Sequence, residues 1–470
     1  MSGDVFYLEQ RYNLNMIRLI GGGNMLSIDY IKKLNTLENH FLNSDLDMNT
    51  KWEYDMPLAI YGAAGSGKTT AALDYCAAYS HRVYFTFRNL SSDIAPKIFS
   101  EQYPDIFDVR CSDWESFFAE LQKHFERAYH VLVFDDLDDR NDKDGFLKEL
   151  KKYLGRDRKR SPFVILITET NKSISIPCYS YHLQRYMPAD IKRALPKMTD
   201  EDRMRLYSIT DGLPALLSLY DEQLSFDDNL KSFLRIDSEF SRYGGDRLRE
   251  QFHSSESYSG ILIAVSRGIQ RLSDIAAFAG FTNKKCGTYL QALCDAGLID
   301  RKKEPSDDRR STTRYYFISG YMALWARFLM VQQGNPVMEL VRLDHVREYI
   351  DHILVPEHFW RLCIKWFNGH KNEYEIPGQR IVSEIKDDEG SVFDYVFSSG
   401  KKKIFLKIWT DLGTSYGAEE FKELDRESVR MNPFYDNIYC LFSIHRFKDS
   451  MWDISKQYEN VHLIEARFLT

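Results

Sequence analysis

The segment LAIYGAAGSGKTT, residues 58–70, constrains this chain more than any other. A short apolar run with the character of a buried strand ends in Gly62-Ala63-Ala64-Gly65-Ser66-Gly67-Lys68-Thr69, with Thr70 following. Glycine takes backbone angles closed to other residues, so successive N–H groups can converge on one anion. A helix predicted over 69–79 then starts at the loop, and its positive end favours the same negative charge. At this G-x-x-x-x-G-K-T spacing the lysine reaches the β- and γ-phosphates of a nucleotide, and the Thr69 hydroxyl is placed to ligand Mg²⁺. Strand, loop and helix agree, which sets the segment apart from a glycine-rich turn with a chance lysine. The expected ligands are ATP and Mg²⁺.

With 470 residues, two to four domains are expected. The formal net charge of -7 argues against a whole-chain electrostatic grip on nucleic acid and leaves a local basic patch open. Seven cysteines are scattered without a C-x-x-C pair, which suits reduced thiols rather than a disulfide framework or zinc site. No stretch of eighteen apolar residues occurs, and the first residues lack a signal-peptide core, so a cytoplasmic location without a membrane partner is expected.

Residues 1–50 read as a lead-in, with a turn at 17–26 and helical apolar spacing at Ile28, Ile31, Leu34, Leu37 and Phe41. Residues 51–185 alternate strands (58–61, 82–87, 130–134, 163–167) with helices (69–79, 92–102, 113–127, 143–154). Such alternation predicts an α/β fold, a parallel sheet with helices on both faces and a nucleotide at its C-terminal edge. Residues 186–255 read as a helical lid. Residues 256–318 read as a winged helix-turn-helix, three helices and a hairpin. Residues 319–375 read as a helical linker, and 376–470 as strands with helices: QRIVSEIK, SVFDYVFS, KKIFLKIWT, a helix at 417–430, NIYCLFSI, a helix at 448–457 and NVHLIEA.

HVLVFDDLDD, residues 130–139, supplies the second half of the expected site. Asp135 ends a buried strand, where a carboxylate can hold Mg²⁺ beside the phosphates. Asp136 follows and can orient and activate the attacking water. Asp138 and Asp139 fit a helix cap on a solvated acidic loop. FVILITETN, residues 163–171, brings Thr168 and Thr170 to the end of the next strand. Each is either a polar sensor near the γ-phosphate or a hydroxyl satisfying a strand end. The basic run GRDRKR, 155–160, reads as a solvated connecting loop.

The order of loop, acid strand, sensor strand, lid with GLP, winged helix and strand-rich tail resembles the archaeal-type prokaryotic ATPases. These form a STAND branch of the AAA-like P-loop NTPases, and the resemblance spans roughly 27–465. ITDGLPALLSLY, 209–220, is similar to the family's G-x-P element. The resemblance implies Pro214 beside the adenine and a tight approach at Gly212. In YFISGYMALWARFLM, 316–330, Ser319-Gly320 stand where an Asp is common. The family's tail resembles a PD-(D/E)xK restriction nuclease. That implies Asp394 at the metal-binding position and Glu357 at an acid of the first helix. The E-x-K strand here reads IFLKIWT. Aligning Trp409 puts Leu406 and Ile408 in place of Glu and Lys, and aligning Lys407 puts Phe405 in place of Glu. Neither register supplies the second carboxylate, so an inert tail is expected.

Two readings of function follow. The first is an ATP-dependent molecular switch with Lys68, Asp136 and Thr168 at the chemistry, slow because Asp136 is one methylene shorter than the usual Glu. Its effector is the winged helix and tail, through a protein partner or self-association. The second is a DNA-binding ATPase. Asn283, Lys284, Lys285, Thr288, Tyr289 and Gln291, with wing residues Arg301, Lys302, Lys303, Arg309, Arg310 and Arg314, are of the types that reach bases and phosphates. Asp300, Glu304, Asp307 and Asp308 interrupt that wing. A metabolic P-loop kinase leaves lid, winged helix and tail unexplained.

Overall fold

The computed structural model describes residues 56–77, 79, 81–125, 130–138, 143–155, 162–252, 256–304, 312–331, 342–370, 393–399, 402–433 and 436–466. The expected lead-in at 1–50, Asp139, the basic run from 156 to 160, the wing tip with Asp307 to Arg310 and the QRIVSEIK strand lie outside them. The chain divides into two compact units. One runs to Arg185 and includes Leu213–Ser218, and the other takes Tyr186–Gly212 and everything after Leu219.

The first unit is built on five parallel strands: β1 (Leu58–Tyr61), β2 (Arg82–Thr86), β3 (Val131–Asp135), β4 (Phe163–Thr168) and β5 (Tyr179–His182). Their order is β2-β3-β4-β1-β5. The three central strands are continuously apolar, as strands covered on both faces must be, and are buried almost throughout. The outer strands alternate, with burial on every second residue or less. This pattern hid β5 from the sequence reading, since YSYH carries two tyrosines and no aliphatic residue.

Pleating sends alternate residues of β3 to opposite faces. Leu132 and Phe134 enter an aromatic core with Phe85, Phe99, Trp114, Phe117 and Phe146, packed by α2 (Ala95–Gln102), α3 (Trp114–Phe125) and α4 (Asp144–Leu154). The Phe85 and Phe134 rings stack at 5.2 Å, and Phe146 meets Phe134 edge-on at 4.9 Å. Val131 and Val133 face the other way, with Leu58, Ile60, Ile165 and Ile167, against Ala72 and Tyr75 of α1 (Lys68–Cys76). Asp135 continues that second series, so its side chain leaves the sheet on the α1 side.

The second unit opens with α5 (Pro188–Ala194) and α6 (Asp200–Thr210). The short α7 (Pro214–Leu217) belongs to the first unit; α8 (Phe226–Phe233) and α9 (Glu239–Gln251) resume the second. Next come α10 (Glu256–Ser266), α11 (Leu272–Ala279) and α12 (Asn283–Asp295), then an antiparallel hairpin of β6 (Ile299–Glu304) and β7 (Thr312–Phe317). Hydroxyls cap several of these helices, as at Thr199, Ser225, Ser238 and Thr282, each accepting a backbone N–H three residues on. After α13 (Gly320–Leu324) the helix widens to π geometry over Trp325–Leu329. A second π segment, Ile350–Leu354, joins α14 (Leu343–Tyr349) to α15 (Val355–His370).

A buried polar knot ties these helices together. Ser319 Oγ donates to Asp211, the Gly320 N–H donates to Asp211 Oδ1 at 2.7 Å, and His358 Nε2 lies 3.1 Å from that oxygen. His358 Nδ1 is 2.9 Å from the Leu354 carbonyl. At the Ser319-Gly320 position the carboxylate thus arrives from residue 211, more than a hundred residues earlier in the chain. Nearby, Trp325 Nε1 donates to the Ser241 carbonyl at 2.8 Å and the Tyr321 hydroxyl to the Phe240 carbonyl at 2.6 Å.

The tail holds β8 (Tyr395–Ser399), β9 (Lys402–Trp409), β10 (Asp436–Ser443) and β11 (Val461–Glu465), with α16 (Ala418–Met431) and α17 (Asp449–Gln457). β8 pairs antiparallel with β9, while β9, β10 and β11 run parallel in that order. The Phe405 and Leu406 side chains are fully buried, and Ile408 is nearly so. Asp394 Oδ2 accepts the Ile408 N–H at 2.6 Å and lies 3.7 Å from Lys407 Nζ. Glu357 accepts from Arg361 at 2.5 Å.

Two glycines give opposite expectations. A Cβ on Gly244 would lie 2.4 Å from the Trp325 ring, so Gly244→Ala should destabilise the protein by about 1–3 kcal/mol in a denaturant titration. Gly287, inside α12, has open space around it, and Gly287→Ala should stabilise by about 0.5–1 kcal/mol in the same measurement.

Candidate functional site

The loop after β1 is shaped by its glycines. Gly65 and Gly67 hold φ of 75° and 89°, a region that side-chained residues enter at a cost. The Ser66 N–H bonds to Ala63 O at 3.1 Å, closing the turn, and Gly67 O accepts from the Ala71 N–H at 2.9 Å as α1 begins. No acidic residue occupies the first turn of α1, so its positive end stays open to an anion. Lys68 Nζ bends back to donate to the carbonyls of Gly62 (2.8 Å) and Ala63 (2.9 Å). Ser66 Oγ is buried with no hydrogen-bond partner among the described residues. An ammonium on its own loop's carbonyls and an unsatisfied buried hydroxyl both fit a bound anion, so the loop suits a phosphate chain.

The acid strand meets this loop through a side-chain bond. The Thr69 hydroxyl donates to Asp135 Oδ2 at 2.6 Å, joining α1 to the end of β3 across 66 residues of sequence. The Tyr84 hydroxyl donates to the same oxygen at 2.7 Å, and the Asp136 N–H donates to Oδ1 at 2.7 Å. Among the described residues no cluster of three or more His, Cys, Asp or Glu could hold a metal. A divalent cation here would take Thr69, Asp135 and otherwise oxygens of nucleotide and water, the habit of Mg²⁺ at phosphates.

Asp136 sits in the left-handed region at φ 59°, which turns it out of line with the strand. Its carboxylate accepts the Thr86 hydroxyl at 3.0 Å, and Thr86 Oγ1 in turn accepts the Arg88 N–H at 3.2 Å. Burial, and then the neighbouring Asp135 charge, push the Asp136 pKa above the usual carboxylate value, while Thr86 and Arg88 pull it down. A carboxylate with raised proton affinity beside a second acid can accept a proton from a nearby water.

Thr168 is fully inside the fold. Its hydroxyl donates to Leu137 O at 2.7 Å, the carbonyl that also accepts Lys143 Nζ at 2.7 Å. The contact is therefore to the backbone just beyond the two acids, the strand-end bonding weighed for this residue from sequence. The Thr170 carbonyl lies 3.3 Å from the same hydroxyl. Asp138 accepts the Glu169 N–H at 3.3 Å, within this loop-to-strand contact and not at a described helix cap.

Pro214 opens α7, and the next N–H, from Ala215, donates to Gly65 O at 3.1 Å. The GLP element thus returns to the phosphate loop. A Cβ on Gly212 would fall 1.9 Å from Tyr186 O, so the backbone approach there is tight. Sequence reading missed Tyr84 and Thr86. Their signal is the register of β2 on β3, which pairs Thr86 with Asp135 and Tyr84 with Val133. Strand adjacency of that kind is invisible along a linear sequence.

Residues 51–172 match the family model described as an AAA domain. The chain is 24% identical over 412 residues to an uncharacterized protein of Methanocaldococcus jannaschii, covering 82% of this chain and 89% of that one. Among solved structures it is similar to the Aeropyrum pernix ORC1 protein in complex with DNA. That similarity has TM-score 0.40 and 10% identity, over 67% of this chain and 94% of that chain. It is also similar to a STAND protein with a tetratricopeptide repeat sensor from Pyrococcus horikoshii, with TM-score 0.29 and 16% identity, over 68% and 50% of the two chains. AMPPCP-bound DnaA from Aquifex aeolicus gives TM-score 0.30 and 12% identity, over 60% and 91%. The family model and the parallel sheet with its phosphate loop agree: residues 51–172 are an AAA-like P-loop ATPase domain, of the kind that binds ATP. Among the described residues no helix is long and apolar enough to cross a membrane.

Thr168 can be tested directly. Thr168→Val should cost about 1 kcal/mol of stability in denaturant unfolding, since Leu137 O keeps its bond to Lys143. ATP turnover at saturation should stay near the wild-type value; a large loss of turnover at unchanged stability would make the hydroxyl part of the chemistry.

Proposed function

We propose that this protein is an ATP-hydrolysing molecular switch whose second unit reports the nucleotide state. The observation that carries the reading is the 2.6 Å bond from Thr69 to Asp135, which joins the phosphate loop to the acid strand at one point. Gly62 to Thr70 cradle the phosphates, with Lys68 released from the loop carbonyls onto the β/γ oxygens. Thr69 and Asp135 hold Mg²⁺ together with phosphate and water. Asp136, held by Thr86, orients and deprotonates the attacking water. Pro214, brought to the loop by the Ala215–Gly65 bond, lines the nucleotide.

The switch reading extends to 256–318 as a winged helix and to the tail as a nuclease-like module without nuclease activity. Support for the first is three helices followed by an antiparallel hairpin. Support for the second is the parallel β9-β10-β11 set with an antiparallel β8, and the burial of Phe405 and Leu406 where a metal-binding Glu would be needed. Asp394 is occupied by Lys407 and a backbone N–H. Differential affinity of two conformations for ATP and ADP would drive a partner or a second copy of the chain on and off.

DNA binding is the second reading, and one observation favours it: Asn283, Lys284, Lys285, Thr288 and Gln291 are exposed on α12. Against it, Gln291 bonds Asp295 at 2.7 Å and Arg301 at 2.9 Å, and Lys285 Nζ lies over the Phe281 ring at 4.5 Å.

Three measurements check these statements. Lys68→Ala should abolish binding of a fluorescent ATP analogue. Asp136→Ala should keep that binding and lower turnover by about 10²-fold or more, and a variant that hydrolyses ATP normally rejects Asp136 as the base. In gel shifts at two salt concentrations, contact with DNA phosphates would show as a steep loss of binding with salt, roughly 10³-fold or more from 50 to 200 mM for an extensive interface. No salt-sensitive shift leaves the switch reading in place.

A further inference from the structure

We infer that Tyr84 sets how firmly Asp135 holds a divalent cation. The inference rests on the nucleotide and metal reading above and goes beyond it by adding a residue that touches neither nucleotide nor metal.

The placement follows from strand geometry. Tyr84 stands on β2 opposite Val133, one pleat below the Thr86–Asp135 pair and on the same face. Two strand residues span about 6.6 Å, and a rigid ring ending in a para-hydroxyl crosses that offset to reach Asp135. The ring packs against the apolar face built by Val131, Val133 and Tyr75. Its backbone carbonyl accepts the Tyr103 hydroxyl at 2.5 Å. Ring and backbone are thus both held, and the phenol donates to Asp135 Oδ2.

The oxygen it meets is the informative part. An ionised carboxylate offers about four acceptor positions. Asp135 Oδ2 accepts Thr69 and Tyr84, and Oδ1 accepts the Asp136 N–H. Three donors therefore fix the carboxylate plane and leave about one acceptor position for a cation or its water. When Thr69 turns a lone pair to a cation, its proton must point elsewhere, and Oδ2 receives it. Tyr84 is the donor that keeps Oδ2 in that place. A phenylalanine would pack equally well on the valines, so the hydroxyl is accounted for by its bond to Asp135. Loss of such an outer partner typically weakens a metal site by about 10–100-fold.

The test uses the full chain and a fluorescent ATP analogue, titrated with Mg²⁺ and separately in EDTA, for wild type and Tyr84→Phe. The expected result is a Mg²⁺ midpoint raised about tenfold or more in the variant, with metal-free nucleotide affinity within about twofold and a thermal midpoint lowered by a few degrees at most. Mn²⁺ should give the same displacement. A Mg²⁺ midpoint that does not move overturns the inference. So does an equal loss of metal-free affinity, which would mark a damaged loop. Wild-type protein whose nucleotide binding ignores Mg²⁺ would overturn the underlying metal reading instead, and that arm is read before the variant is made.

Discussion

One hydroxyl–carboxylate bond organises the first unit. Thr69 opens α1 and Asp135 closes β3, and their 2.6 Å contact requires the phosphate loop and the acid strand to end at the same edge of the sheet. That condition is met because β4 runs between β1 and β3, so the two functional strands are separated by one neighbour and stay parallel. Thr69 reaches back over β4 to meet the acid. The even step of four positions from Val131 to Asp135 then puts the carboxylate on the α1 face, where a shift of one residue would bury it among phenylalanines.

The two faces of the sheet do different work. The aromatic side, with Phe85, Phe99, Phe117, Phe134 and Phe146, is fully buried. The α1 side mixes aliphatic residues with Tyr75 and Phe163 and turns polar at the strand ends, where the Tyr84 hydroxyl, Thr86, Asp135 and Asp136 gather. Each hydroxyl there serves one acid: Tyr84 and Thr69 hold Asp135, and Thr86 holds Asp136. Two adjacent carboxylates repel, and this division of donors keeps them in separate orientations; burial and the Asp135 charge raise the proton affinity of Asp136, and the Thr86 bond opposes them.

The helical part of the second unit, up to residue 370, solves a different problem, the packing of helices with one hairpin, β6–β7, among its described residues. Its answer is a set of buried polar ties. Asp211 receives Ser319, Gly320 and His358, and Trp325 and Tyr321 bond backbone carbonyls of α9. Satisfied buried polar groups specify one arrangement of helices where apolar contacts alone would tolerate several. The close fit of Gly244 to the Trp325 ring belongs to the same arrangement.

The sequence by itself determined the local features. The loop spacing fixed Gly62 to Thr70, continuous apolar runs marked β1, β3 and β4, and the acid pair followed its strand. Each is encoded within a window of some ten residues, where propensity and periodicity act. Tertiary structure alone decided the rest. β5 has too little apolar character to announce itself and exists because β1 offers an edge to pair with. Tyr84 and Thr86 become partners of the acids only through the register of β2 on β3. Thr168 turns to Leu137 O, a choice its sequence neighbourhood left even. Asp211 meets Ser319 and His358 across more than a hundred residues. These contacts depend on which strand lies beside which and on the phase of the pleat, and that information is created only when distant segments pack.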